Sequence, residues 1–161
     1  MASVKESYRG QCNLHIYFAE QYLAQLEASD PRDWGGHIQR AIADSLVWQL
    51  LLAYQCHLAD LIDQQPKFGL LLPLGQFNAR SLVADELPPE IEELAGREVE
   101  PGWLATIINY PFVQTATTNR APQGVLAWDG QSESAVKPDL AECLIELKST
   151  IARHRATLME Y

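Results

Sequence analysis

Two short pairs of side chains in this sequence have the types and the spacing that metal ions use. Cys12 and His15 are three residues apart, and so are His57 and Asp60. On a helix this spacing places both members of a pair on one face, and thiolate, imidazole and carboxylate all bind zinc. If the first two helices fold back on each other near residue 31, however, His15 lies opposite roughly residue 47. The two pairs then lie in different layers, and we expect no metal.

Arg32 and His37 show the Arg-x4-His spacing of HEPN-type helical ribonucleases. There the Arg steadies negative charge on the phosphodiester and the His transfers protons. Here the pair precedes the second helix, whereas those enzymes carry it near their last helix. The simpler interpretation is a turn in which Asp33 caps the helix, glycines supply the bend and Trp34 packs onto the core. A ribonuclease that uses Arg32 and His37 is therefore the alternative hypothesis.

His154, between Arg153 and Arg155, belongs to a tight basic cluster in the last turns of the final predicted helix. Cations are favoured at that end of a helix, so an exposed, dipole-matched helix end is the preferred interpretation. The alternative interpretation is that this cluster contacts an anion. The glycine-rich motifs of nucleotide and phosphate sites and the Gly-x-Ser-x-Gly elbow do not occur. We therefore expect no cofactor.

The negative charge of the chain is unevenly distributed. The net charge is −9 over 161 residues, a field that repels nucleic acid on average. Residues 85–100, however, hold seven acidic side chains and one basic one. Such a face around a short helix steers basic partners, and we expect the interaction face to comprise Glu90, Glu92, Glu93, Glu98 and Trp103. Trp103 is either a core anchor, which we favour, or the aromatic centre of an interface. A third hypothesis is an acidic regulator or mimic that acts on a nucleic-acid enzyme.

Length and cysteine usage indicate the class of protein. A chain of 161 residues favours one domain over 1–161. The N-terminal residues contain no apolar segment of the secretory type, and the apolar runs are shorter than the roughly 20 residues that span a bilayer. The three cysteines are widely spread, which is typical of buried thiols in a reducing compartment. We therefore expect a cytoplasmic protein with no membrane contact.

Hydrophobic spacing of three and four residues predicts helices throughout. The predicted helices run from a capping box at Ser3–Glu6 to about Ala28, from about His37 to Gln64, from Pro89 to Ala95 with Gly96 as the cap, from about Pro101 to Ile108 with an end forced by Pro111, and from Pro138-Asp139 to about Leu158. A helical turn near 78–83 and a long flexible loop at 115–137 complete the prediction. The fold class is all-α: an antiparallel up-down bundle of about four main helices plus one or two short ones, with long loops between helices 2–3 and 3–4.

Four of these segments resemble a family of small gammaproteobacterial proteins known only as a domain of unknown function. The segments are Asn13–Glu27, Ala41–Ile62, Gly102–Ile108 and Leu144–Leu158. The resemblance implies a cytoplasmic, bacterial, all-helical protein, and it carries over no catalytic residues.

The preferred hypothesis is a non-enzymatic helical module, interacting or regulatory, that binds another protein or itself. It depends on three observations: no catalytic constellation is evident, the second helix is apolar on most sides, and the acidic charge is concentrated in one stretch.

Overall fold

The computed structural model describes residues 7–63, 78–82, 88–112 and 138–159, and these ranges contain helices and turns but no strand. The α-helices are α1 (Tyr8–Ala28), α2 (Ile38–Asp63), α3 (Pro89–Val99), α4 (Trp103–Ile108) and α5 (Leu140–Met159), and short 3-10 turns cover Asp33–Gly36 and Ala79–Ser81. This confirms the predicted all-α bundle. The capping box at Ser3–Glu6 and the loop at 115–137 lie outside the described residues.

Helices α1 and α2 form an antiparallel hairpin. Near one end the Arg9 guanidinium binds the Asp60 carboxylate at 3.2 Å. Further along, His15 Nδ1 lies 2.7 Å from the Gln49 side-chain oxygen. His15 therefore lies beside the middle of α2, as the predicted fold-back requires, and not beside His57.

Helix α5 runs antiparallel to α1 and therefore parallel to α2. Lys148 binds Glu20 at 2.7 Å, and Arg155 Nη1 donates to Asn13 Oδ1 at 2.8 Å. This places the C-terminal turns of α5 in the same layer as the start of α1 and the end of α2.

The core forms around α2. Every residue from Ala53 to Ile62 is buried, because α1, α3, α4 and α5 all pack against this helix. Most of the enclosed side chains are aliphatic, but Gln55, His57 and Asp60 are buried among them. The apolar surface of α2 drives the packing, and these three polar groups must find partners inside it.

The helix ends follow their capping chemistry. Helix α1 begins later than predicted, because Ser7 is its N-cap and accepts from the Gly10 N–H at 3.0 Å. Helix α5 begins where predicted, with Asp139 accepting from the Glu142 N–H at 3.0 Å. Helix α3 continues past Gly96 to Val99. One further turn buries the side chain of Glu98 beside those of Ile91 and Leu94, which explains why Gly96 does not end it.

None of the helices in the described ranges combines the length and the apolar character needed to cross a membrane.

Candidate functional site

A pair of histidines lies in the core between α2 and α5. His57 and His154 are each 1% exposed, and their rings stack at 21° with the centroids 5.2 Å apart. His57 Nε2 lies 3.0 Å from His154 Nδ1, which is hydrogen-bond distance. The preferred interpretation of His154 as part of an exposed helix end is therefore wrong, because its ring is buried and paired with His57.

Glu93 on α3 closes this pair on one side. Its carboxylate lies 3.1 Å from His154 Nε2 and accepts from both terminal nitrogens of Arg153, at 2.5 and 3.0 Å. Arg97, one turn away on α3, adds a bond of 3.1 Å. The bonds from Arg153, with those from His154 and Arg97, lower the pKa of Glu93 to about 2. Glu93 is thus an ionised acceptor that neutralises part of the basic cluster.

His57 is held neutral in this layer. Burial lowers its pKa to about 3, and the neighbouring charges of His154, Arg155 and Arg9 act in the same direction. A buried cation without a counter-ion is costly, so the ring stays uncharged. Its Nδ1 atom is fully buried and has no hydrogen-bond partner in the described part of the chain.

Arg155 forms the other side of the layer, beside Cys12. Its Nη1 atom binds Asn13, but its Nε and Nη2 atoms are buried without a hydrogen-bond partner among the described residues. Burial raises the pKa of the Cys12 thiol to about 12, and the adjacent guanidinium opposes that shift. We call His57, His154, Glu93, Cys12 and Arg155 the polar layer.

The sequence singled out members of this layer separately. His57 and Cys12 were candidates for two metal pairs, and His154 was a candidate anion contact. No local pattern indicates that residues 97 positions apart share a hydrogen bond. The parallel alignment of α2 and α5, which brings them together, follows from tertiary packing. Within the described ranges no group of three metal-ligating side chains converges.

The described part of the acidic segment, residues 88–100, does not place all its carboxylates on one surface. Glu98 is 2% exposed, and its carboxylate accepts from the Tyr54 hydroxyl at 2.6 Å and from the Ala79 N–H at 2.6 Å. The Arg80 N–H and Nε bind its other oxygen at 3.2 and 3.1 Å. Glu98 thus anchors the Ala79–Ser81 turn to α2 and α3 and does not face outward.

The rest of the predicted interaction face is divided. Glu93 belongs to the polar layer, Glu90 is half-buried and Glu92 is exposed. Trp103 is half-buried and packs against the core, and its Nε1 atom has no partner in the described ranges. Of the predicted interaction face, Glu92 and, in part, Glu90 therefore remain accessible to a basic partner.

Arg32 and His37 flank the 3-10 turn between α1 and α2. Both are exposed, and the Arg32 guanidinium binds the Asp30 carboxylate at 3.0 and 3.2 Å. Trp34 is 71% exposed, so the expectation that it packs onto the core is wrong. Its φ of 53° is followed by positive φ at Gly35 and Gly36, so three successive residues of the turn have left-handed backbone. The ribonuclease hypothesis stays a prediction.

An exposed aromatic surface lies on the outer side of the α1–α2 hairpin. Tyr17 is 55% exposed and Phe18 is 37% exposed, and their rings contact each other at 6.1 Å. A groove of about 360 Å³ adjoins them. We call this surface the aromatic face; its residues are Leu14, Tyr17, Phe18, Gln21, Tyr22, Gln25 and Gln49.

Comparison with known proteins gives no family: no family model, no curated protein and no solved structure matches this chain.

Proposed function

We propose that this chain is a protein-interaction module that associates with a second copy of itself through the aromatic face. The observation that carries the proposal is the exposure of Tyr17 and Phe18 on a surface without charge. Large aromatic side chains in contact with water lose free energy of about 25 cal/mol per Å² of apolar area when a partner covers them. Aromatic residues are also enriched among the residues that dominate binding energy.

The aromatic face carries no Asp, Glu, Lys or Arg. The charged residue nearest to it in α1, Glu20, is paired with Lys148 of α5. In α2 no charged residue occurs from position 45 to position 59. Glutamines line the groove beside the aromatic rings, and their amides both donate and accept hydrogen bonds. The face is therefore complementary to a neutral surface of mixed apolar and amide character.

A second copy of the chain has such a surface. Two copies of net charge −9 repel each other, and contact through a neutral face keeps their charges apart. In a two-fold dimer the same patch serves both partners. Two hairpins packed in this way form a four-helix arrangement, a stable solution for exposed helix faces.

The compartment we propose is the cytoplasm. Cys12, Cys56 and Cys143 are all free and buried, and unpaired thiols suit a reducing environment.

The test is the oligomeric state of the full chain by sedimentation equilibrium over a wide concentration range. We expect a monomer–dimer equilibrium for the wild type. Phe18→Glu buries a charge at the centre of the interface, and the loss of a central aromatic anchor costs about 2 kcal/mol or more. The dimer dissociation constant should rise at least about 30-fold.

The matched control is Val99→Glu, which adds the same charge at a residue that is 61% exposed on α3. It should leave the dissociation constant unchanged within about threefold. A wild-type chain that stays monomeric at millimolar concentration contradicts the proposal. Equal weakening by both substitutions also contradicts it, because the effect is then one of general charge.

A further inference from the structure

His15 lies at the edge of the aromatic face, in contact with two of its members. Its Nδ1 atom is 2.7 Å from the Gln49 side-chain oxygen, and its ring meets that of Phe18 edge to face, with the centroids 6.1 Å apart. The residue is half-buried. A partner that covers Phe18 and Gln49 therefore also covers the imidazole between them.

The hydrogen bond to Gln49 determines which nitrogen of His15 can gain a proton. An amide oxygen only accepts hydrogen bonds, so His15 donates to it from Nδ1, and in the neutral ring Nε2 carries the lone pair. Nε2 has no hydrogen-bond partner in the described part of the chain. Protonation of Nε2 therefore adds a positive charge beside the aromatic face without breaking the bond to Gln49.

Helix α1 offers no counter-ion for that charge. No acidic side chain in the described ranges pairs with His15. Apart from tyrosines, the titratable or charged residues of α1 nearest to it are Arg9, Cys12 and Glu20. Arg9 and Glu20 are each paired with a residue of another helix. The Cys12 thiol stays neutral, because burial raises its pKa to about 12.

Helices α2 and α5 offer none either. In residues 45–59 of α2 the titratable groups are Tyr54, Cys56 and His57. Burial raises the pKa of Tyr54, raises that of Cys56 to about 11 and lowers that of His57 to about 3, so all three are uncharged in mild acid and at neutral pH. Helix α5 binds α1 through Lys148 and Arg155, which are cations.

We propose, on the basis of the self-association inferred above, that His15 makes this association pH-dependent: two aromatic faces pair while its ring is neutral and separate when it is protonated. Histidine is the side chain whose charge ordinarily changes between about pH 5 and 8. A charge covered without a counter-ion is costly. In a two-fold dimer each copy contributes one His15, so the cost arises twice.

A general effect of charge would have the opposite sign. Two copies of net charge −9 repel each other, and acid reduces that charge. A dimer whose interface contains no titrating group should therefore become tighter on mild acidification. Weaker pairing in acid indicates a positive charge that is gained inside the interface.

The experiment is sedimentation equilibrium of the full chain at about pH 7.5 and about pH 5.5, on either side of the usual histidine transition. Circular dichroism at both pH values checks that the helices are intact. We expect the dimer dissociation constant of the wild type to rise at least about tenfold at the lower pH.

Two variants assign the effect to His15. His15→Gln keeps a hydrogen-bond donor for Gln49 but takes up no proton, so its dissociation constant should not rise in acid. The control, His37→Gln, removes a histidine from the exposed turn before α2 and should retain the wild-type rise.

A second measurement uses the wild type alone and decides the proposal if a variant fails to fold. Coupling between two binding events is reciprocal, so dimerisation must oppose protonation of His15. The pH at which its ring gains a proton, followed by the imidazole NMR resonances, should fall as protein concentration rises through the dimerisation range, and that of His37 should not.

The outcomes separate this inference from the function on which it depends. A wild type that is monomeric at both pH values overturns the proposed self-association and the pH dependence with it. A dimer at pH 7.5 that is equally tight or tighter at pH 5.5 overturns the role of His15 alone, and so does a rise in the dissociation constant that His15→Gln retains.

Discussion

His57 and His154 share a hydrogen bond of 3.0 Å in the centre of the bundle, although 97 residues separate them in the chain. Neither ring reaches solvent. Their stack fixes the position of α5 along α2, because a shift of one helical turn would move each ring about 5.4 Å and strand it among aliphatic side chains.

The neutral state of His57 predicts a loss of stability in mild acid. Its pKa is about 3 in the folded chain against 6.5 for an unperturbed His, so the unfolded state binds the proton first as pH falls. The free energy of unfolding is therefore highest above pH 6.5 and should decrease from there toward pH 3. The full shift corresponds to roughly 5 kcal/mol in the free energy of unfolding. Urea unfolding at a series of pH values measures it.

His57→Gln removes this titration and should flatten the pH dependence above about pH 4.5. The control is His37→Gln, on the exposed turn before α2. The prediction is wrong if both variants retain the wild-type slope.

The lowered pKa of Glu93 predicts a second pH range, more acidic than that of His57, in which the folded state loses stability. Its pKa is lowered from 4.5 to about 2, chiefly by Arg153, so its contribution is present above pH 4.5 and is lost as pH falls toward 2. Glu93→Gln should be less stable at neutral pH and should lose less stability below pH 4.5 than the wild type. Acid titrations followed by circular dichroism would show it. Glu92→Gln, one position away and exposed, should follow the wild-type curve, and an identical acid response in the Glu93 variant would refute the assignment.

Glu98 should be one of the costliest acidic side chains to remove. Glu98→Ala leaves the Tyr54 hydroxyl and the Ala79 N–H buried without their acceptor, which should cost about 3 kcal/mol in the free energy of unfolding. Chemical denaturation measures that cost, with Glu92→Ala as an exposed control expected within about 0.5 kcal/mol of the wild type. A Glu98 variant as stable as the control would mean that the Ala79–Ser81 turn does not depend on this carboxylate.

The turn before α2 contains one residue in the wrong backbone region for its type. Trp34 has a φ of 53°, which costs a side-chain-bearing residue about 1 kcal/mol, and Asn tolerates it better. Because the Trp34 side chain is largely exposed, Trp34→Asn should raise the free energy of unfolding by about 0.5–1 kcal/mol. Thermal unfolding measures the change.

Substitutions at two glycines separate the effect of backbone conformation from the effect of steric contact. Gly36 has a φ of 88°, and an added Cβ there would meet Pro31 O only at ordinary contact distance. Gly36→Ala should therefore destabilise by about 1 kcal/mol through conformation alone. Gly96→Ala, at an open helical position, should stabilise by about the same amount. The same sign for both would contradict this account.

The fold could be predicted from the sequence where local rules and burial agree. Helix α2 has no breaker and is helical over the whole of its described range, Ile38–Asp63, and Asp139 begins α5 as expected. Gly96 shows where local rules fail: its preference for a helix end is overridden by the burial of Glu98, two residues further on. The expectation for Trp34 also fails, because its ring is 71% exposed in a turn with positive φ and does not pack onto the core.

The polar layer could not be predicted from the sequence, because its side chains are hydrogen-bonded to residues on other helices that lie far away along the chain. Glu93 and Glu98 are the same residue type on the same charged helix. Glu93 binds Arg153 and His154, whereas Glu98 is buried and accepts hydrogen bonds from Tyr54 and Ala79. Charge counting assigns both to the surface. The number of buried partners for a carboxylate depends on which helices pack against it.

The parallel alignment of α2 and α5 has a consequence for the order of folding. Helices α1 and α2 are joined by a short turn and can meet at little entropic cost. Helix α5 must close a loop of nearly a hundred residues before His154 reaches His57. Contacts of such long sequence separation slow folding. Docking of α5 is therefore expected to be a late step, and until it happens the part of α2 that α5 covers stays exposed to solvent.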